Sequence, residues 1–127
     1  MVNVMEAAQI TARKSIESTY CGVATVVEHK KTTDKKSKLI KYDDVVILEN
    51  QPCKLSYETI STANQNKSAA SVTQTTKLFI SPDIIIKPGS KITVIQSGIT
   101  TDYTYSGVPA VYLTHQEIML ELFERWS

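Results

Sequence analysis

The sequence predicts a mainly β domain: a small antiparallel β-barrel with an N-terminal helix and a C-terminal helical or strand–helix end. Three observations carry that expectation. The first is the stretch Lys77–Tyr105, which Pro88-Gly89 and Ser97-Gly98 cut into strands. Proline presets the first central φ of a type II turn, and glycine accepts the positive φ that follows. Ser-Gly is a second tight-turn signal. The second is the period-two pattern between those turns. Ile92, Val94 and Gln96 alternate with Thr93, Ile95 and Ser97, and Tyr103 and Tyr105 continue the alternation. β-Branched and aromatic residues of this kind fit a pleated surface. The third is size. The 127 residues make one domain, large enough to bury a core without metal or disulfide staples.

Residues 1–19 hold the helix. Val4, Ala8, Ala12 and Ile16 recur every four residues within Val2–Ser18, and Asn3 suits the N-cap. The opposite face carries Glu6, Gln9, Arg13 and Glu17. A thin, alanine-rich stripe suits a helix that leans on a flat surface, either its own barrel or a neighbouring copy. Barrel strands are expected over 20–58 and 77–113. Tyr20–His29 is the first of them, with Gly22 near its start. Tyr42–Glu49 and Gln51–Glu58 form the next strand or strand pair. The continuous apolar run Val45–Leu48 predicts a strand buried on both faces. Pro52 belongs at a bend or a sheet edge, because it donates no ladder hydrogen bond.

Residues 59–76 read as a long polar loop. They are rich in hydroxyl and amide side chains, lack glycine and proline, and carry Lys67 as their only charge. Loops longer than about 12–15 residues are uncommon in compact domains and often functional. Residues 114–127 form the C-terminal element. Thr114 and Glu117 have capping-box spacing. Glu117, Glu121, Glu124 and Arg125 fall on one helical face, opposite Ile118, Met119, Leu122, Phe123 and Trp126, so periodicity predicts an amphipathic helix. A strand through Ile118–Leu120 with a short helical end is the alternative.

Composition excludes several function classes. A net charge of +1 argues against a dedicated nucleic-acid binder, which shows a strong basic excess. No apolar run approaches the roughly 18 residues a membrane span needs, so no membrane partner is expected. Met1–Ile10 carries Glu6 and no basic residue, unlike a secretory signal. Cys21 and Cys53 read as reduced thiols of a cytosolic protein, with a disulfide between adjacent strands as the other reading. With unpaired cysteines and only His29 and His115, no metal site is expected. No P-loop, GxGxxG, HExxH or GxSxG is present, so no cofactor and no catalytic residue is assigned. His115 is the one acid–base candidate. Without a partner nucleophile it reads as a structural histidine bonding backbone or Glu117. Tyr103, Tyr105 and Tyr112 are the residues that would stack on bases in a single-strand-binding barrel. Tyrosines on strands more often form core edges or interfaces.

Two features invite contact readings. Lys30–Lys41 holds six of the twelve lysines and no arginine. A charge run ordinarily keeps a hairpin tip in water; functionally, Lys30, Lys31, Lys35, Lys36 and Lys38 suit an acidic partner surface or phosphate. Phe123 and Trp126, near the chain end, suit a subunit interface, since a large aromatic there anchors on its own barrel or on another subunit.

Leu78-Phe79-Ile80-Ser81-Pro82-Asp83-Ile84, Ile86-Lys87-Pro88-Gly89-Ser90-Lys91-Ile92, Ser106-Gly107-Val108-Pro109 and Tyr112-Leu113-Thr114-His115-Gln116-Glu117-Ile118 resemble the head-closure, or stopper, proteins of long-tailed bacteriophages and prophages. These small head–tail connectors are often called minor capsid proteins. The resemblance runs from Lys77 to Trp126 and rests on structural rather than catalytic motifs. It implies a small β-barrel that assembles in the bacterial host cytoplasm into a homo-oligomeric ring, commonly a hexamer, in the virion neck. The ring would meet the portal or adaptor ring on one side and a tail terminator or tail proteins on the other. It would close the DNA exit channel after packaging, close to the packaged DNA. It also implies a long loop pointing into the channel. Residues 59–76 fall where that loop belongs, making Thr59, Asn64, Gln65, Asn66, Lys67 and Thr76 the gate candidates. On the same footing, the lysines of 30–41 are candidates for contact with an adjoining ring or with DNA. A tail terminator or tail-completion protein is the neighbouring alternative. A single-strand-binding barrel and a hydrolase using His115 and Glu117 are the alternatives from other classes.

Overall fold

A computed structural model describes residues 3–62 and 71–126. The chain runs α1 (Val4–Glu17), β1 (Gly22–Thr33), β2 (Ile40–Thr62), β3 (Ser71–Ile80), β4 (Lys91–Gln96), β5 (Ile99–Thr104), β6 (Ala110–Val111) and β7 (Gln116–Leu122). The strands pair in the order β3-β2-β1-β4-β5-β7-β6, every pair antiparallel, and β3 also pairs with β7. Six strands therefore close a ring of hydrogen bonds, with β6 a short addition on the β7 edge. The expected mainly β, antiparallel fold with one N-terminal helix is what the chain adopts.

Alternation fills the ring. Ala24 and Val26 on β1, Leu78 and Ile80 on β3, Ile92 and Val94 on β4, and Ile118 and Leu120 on β7 point inward and are buried. Gly89 (φ 86) and the pair Ser97 and Gly98 (φ 55 and 76) supply the positive φ values the two predicted turns require. Loop 81–90 covers part of the ring with Ile84 and Ile86. Buried Gln116 secures that loop, its Nε2 donating to the carbonyls of Ser81 (2.8 Å) and Ile84 (2.5 Å).

Three expectations need correction. The C-terminal element is a strand over Gln116–Leu122, not an amphipathic helix. Gln116, Ile118 and Leu120 face inward while Glu117, Met119 and Glu121 face outward. The open edges of β3 and β5 both need a partner, and satisfying those backbone groups outweighs the helical period. The run Val45–Leu48 is not buried on both faces, since Val46 and Ile47 are exposed. Here β2 pairs only with β1, because β3 joins β2 from Cys53 onward. Of the two readings for 42–49 and 51–58, one strand or a pair, the single strand is what forms, 23 residues long. Register shifts opposite Ala24–Val27, together with Asn50 at φ 52, mark bulges in it. Lastly, much of the loop expected over 59–76 is strand. Thr59–Thr62 pair with residues 71–74, and the ladder continues through Thr76.

Candidate functional site

The candidate surfaces are the parts of the strands that leave the ring. β2 is longer than any partner, so each of its halves runs past the ring as one strand of a two-stranded ribbon. β1–β4 pairing ends at Val27, and from Glu28 to Thr33 β1 pairs with β2 alone. At the other end of β2, residues 57–62 pair with β3, while β3 meets β7 only from Thr76 onward. One ribbon is basic and the other is polar.

The basic ribbon carries the predicted lysines. Lys30 and Lys31 lie on β1; Lys35 and Lys36 lie in the tip turn, with Lys38 just after it at φ 58. The tip is a built turn. The Asp34 carboxylate accepts from the Lys36 N–H (3.0 Å) and from the Ser37 hydroxyl (3.0 Å), while the Lys38 N–H donates to the Asp34 carbonyl (2.8 Å). Those donors hold the Asp34 carboxyl below the usual carboxylate range.

Where the ribbon leaves the ring, an aromatic stack fastens it to the chain's end. His29 stacks between Tyr42 (centroids 5.0 Å apart) and Trp126 (4.8 Å). Phe123 meets Trp126 edge-on at 4.9 Å, and the Lys91 ammonium sits 5.6 Å from the Phe123 centroid. The His29 Nδ1 lies 2.9 Å from Asp44, its direct cross-strand neighbour. Phe123 and Trp126, the interface candidates, thus pack within their own chain. Beside them Glu28, Lys30, Lys87 and Trp126 help line an open cleft of about 410 Å³. Glu28 stands 3.9 Å from both Lys30 and Lys87.

The polar hairpin carries the gate candidates. Thr59 pairs with Gln74 near its base, and Thr76 pairs with Tyr57 and Leu120 where the hairpin enters the ring. Asn64, Gln65, Asn66 and Lys67 lie outside the described residues. A side chain stands in for a strand at this base. Beyond Cys53, β1 no longer flanks β2, and Gln96 takes its place. Gln96 Oε1 accepts from the Leu55 N–H (2.8 Å) and its Nε2 donates to the Leu55 carbonyl (3.3 Å). Gly22 makes room: a Cβ there would meet Gln96 Oε1 at 3.1 Å and the Cys53 carbonyl at 3.3 Å.

His115 and Glu117 form a satisfied strand-end cluster. His115 Nε2 lies 2.9 Å from Glu117 and its Nδ1 lies 3.0 Å from the Thr114 hydroxyl; Lys77 adds an ion pair to Glu117 at 2.9 Å. His115 and Lys77 together lower the Glu117 pKa. Thr114 and Glu117 therefore do not cap a helix. Tyr103 and Tyr105 are core residues. Burial raises both hydroxyl pKa values, and the Tyr105 hydroxyl donates to the Ile86 carbonyl. Tyr112 stacks on His115 at 4.9 Å. Cys21 and Cys53 are free thiols, one exposed and one buried. Among the described residues no His, Cys, Asp and Glu cluster has metal-site geometry, and no helix is long and apolar enough to cross a membrane.

The helix forms as its N-cap predicts, Asn3 Oδ1 accepting from the Glu6 N–H at 2.7 Å. None of its residues is buried, and Val4 is 86% exposed. Arg13 ties it to loop 81–90 through Ser81 (2.5 Å) and Asp83 (2.7 Å). The sequence did not point to this contact, nor to His29. Both depend on neighbours that only the register and the path of loop 81–90 bring close.

No protein-family model matches the chain, and no curated protein does. Among solved structures its fold is similar to that of the phage-like element PBSX protein xkdH from Bacillus subtilis. The TM-score is 0.50 at 13% identity, over 82% of this chain and 96% of that one. At that identity the likeness is one of fold.

Proposed function

We propose that the chain is a structural protein of a tailed-phage or prophage particle, and within it a head-closure (stopper) protein. The observation that carries this is the fold shared with the PBSX protein, which spans nearly the whole of that chain, a component of a phage-like element by its description. The sequence resemblance over Lys77–Trp126 supports the same reading. Copies form a ring in the neck, between the portal or adaptor ring and the tail. The role is structural rather than catalytic, in keeping with a His115–Glu117 pair that already spends its polar atoms on Thr114 and Lys77.

In this reading the polar β2–β3 hairpin is the gate. It leaves the ring as a ribbon with Thr59 and Thr76 near its base. Residues 59–76 carry one charge, Lys67, so hairpins from several copies can converge on a channel axis with little mutual repulsion, and hold DNA only weakly. The test is electron microscopy of particles carrying tagged protein. The expected result is a ring of density between portal and tail; absence from the neck would sink the reading. Replacing the hairpin beyond Glu58 by a tight turn should give particles that assemble and lose their DNA. Full retention would remove the hairpin from the gate.

A further inference from the structure

The chain's near-neutral total conceals a separation of charge. Residues 30–41 hold six lysines and one acid, Asp34, with Glu28, Asp43 and Asp44 nearer the ribbon's base; from residue 102 onward the chain holds four acids, Asp102, Glu117, Glu121 and Glu124, against one basic residue, Arg125, and of these acids Glu117 is already paired with Lys77 and His115. The closed order β3-β2-β1-β4-β5-β7 sets β1 across the ring from β7, and β2 across from β5. The base of the ribbon meets the chain's end, where His29 stacks on Trp126. The tip turn from Asp34 lies further out along the paired ribbon, about 16 Å beyond His29 at the roughly 3.3 Å rise per residue of a strand, and the β1–β2 ladder holds it off its own ring, where a second copy can meet it.

Each patch also joins charge to exposed apolar surface. Leu39 at the tip is 68% exposed, beside Ile40 and Tyr42; Leu122, at the end of β7 and in one cleft with Glu121 and Glu124, is 67% exposed. Isolated exposed leucines are ordinary, but grouped ones rimmed by charge mark an interface. An open cleft of about 570 Å³ lies among Thr104, Glu121, Leu122, Glu124 and Arg125, with room for a lysine side chain. Glu121 gives one carboxylate oxygen to the Ser106 hydroxyl (2.7 Å). The tip turn braced by Asp34 holds the backbone that carries Lys35, Lys36 and Lys38, which lowers the ordering cost of contact. The apolar residues favour a protein face over DNA, whose phosphates offer nothing to Leu39.

We propose that the basic β1–β2 tip of one copy docks on the acidic β5–β7 face of the next. The contact joins two different surfaces of the same chain, so it repeats by rotation and closes a ring. It rests on the ring reading above and names the interface that builds the ring.

The test is charge exchange, read by sedimentation at low salt. The wild-type chain should self-associate. A chain carrying K35E, K36E and K38E, and a second carrying E121K and E124K, should each associate at least tenfold more weakly. One chain carrying all five changes should associate again. Added salt should weaken the wild-type contact, as expected of exposed charges. Wild-type chains that stay monomeric, reversals that leave association intact, or a combined chain that stays apart would each overturn the contact. So would a tip reversal that abolishes binding to duplex DNA while association persists. In particles the two readings separate. Reversed chains forming normal neck rings would overturn this contact alone, and wild-type chains missing from the neck would overturn the ring reading.

Discussion

The ring and the ribbons that leave it are built from the same strands under opposite constraints. Where β2 crosses the ring it passes from β1 on one edge to β3 on the other at Cys53, Gln96 bonds the free edge at Leu55, and the β2 side chains alternate: Cys53 and Leu55 are buried while Pro52 is exposed. A dozen residues earlier the same strand has one neighbour, and Ile40, Tyr42, Val46 and Ile47 are exposed despite their apolar character. Burial, rather than hydropathy, separates the two. A strand's apolar residues stabilise a fold only when something covers them. In the ribbon Tyr42 is covered on one face by His29, while Ile40 stays exposed and is available for a partner. Stability should therefore reside in the ring and assembly in the ribbons, and substitutions divide the two.

The largest effect is expected in the ring. Leu78 is fully buried between β2 and β7. Leu78→Ala should cost about 2–5 kcal/mol, through lost transfer energy plus a cavity, read by denaturant unfolding. Thiol labelling gives an independent view of the same core. Burial, with a smaller push from Cys21, raises the Cys53 thiol to about 12, so at pH 8 the native chain should alkylate at exposed Cys21 alone. Cys53 should label only as the ring opens, and sooner in the Leu78→Ala chain. Equal labelling of both thiols in the native chain would contradict the closed ring.

Next comes the joint between ring and hairpin. Removing the Gln96 amide leaves the N–H and carbonyl of Leu55 without their partners. Leu55 is 5% exposed, so Gln96→Ala should cost about 1–3 kcal/mol. Amide exchange at Leu55 should accelerate more than at Leu78. Uniform acceleration across β3 would instead show that Gln96 supports the whole ring.

How much of this was legible depends on whether local chemistry or distant pairing decides each element. The turns at Pro88-Gly89 and Ser97-Gly98, the β4–β5 hairpin and the Asn3 cap rest on residues close in sequence, and all four form. The C-terminal element is ambiguous in the sequence because Glu117-Ile118-Met119-Leu120-Glu121 satisfies both a helical and a strand period. The choice falls to two edges, β3 and β5, that are distant in sequence. Asn50 and Pro52 leave the sequence open between one strand and a pair over Tyr42–Glu58, and they prove to be a bulge and a position just before β3 joins. The surface residues divide the same way. The lysines announced a basic tip by composition alone. His29 became visible as the centre of a stack only once the bulges had set it opposite Asp44 and diagonal to Tyr42.

A smaller effect tests the outer surface of the ring. Interactions with His115 and Lys77 lower the Glu117 carboxyl pKa in the folded state. A depressed pKa contributes stability that is complete above the unfolded-state value, about 4.3 for glutamate, and is lost as pH falls through the folded-state value. Glu117→Gln should therefore flatten the loss of stability on acidification below that pH and change little at pH 7 apart from the ion pairs it removes. Parallel acid-denaturation curves for the two chains would show that these partners do not stabilise the carboxylate.

The smallest effect on folding should come from the ribbon, where the contrast with the ring is sharpest. Ile40 is as apolar as Ile92, yet it is 54% exposed where Ile92 is fully buried. It pairs with Thr33 beside the tip turn and faces solvent in the single chain. Ile40→Ser removes apolar surface that folding never covered, so it should alter stability by no more than about 0.5 kcal/mol. Ile92→Ser would also place a hydroxyl in the core, with a further desolvation cost. The same Ile40→Ser chain should associate more weakly, because the apolar part of the tip contact is lost while its lysines remain. A chain that keeps its melting temperature but loses self-association would tie Ile40 to assembly. A drop in melting temperature comparable to that of a ring substitution would instead show that the ribbon folds as part of the core.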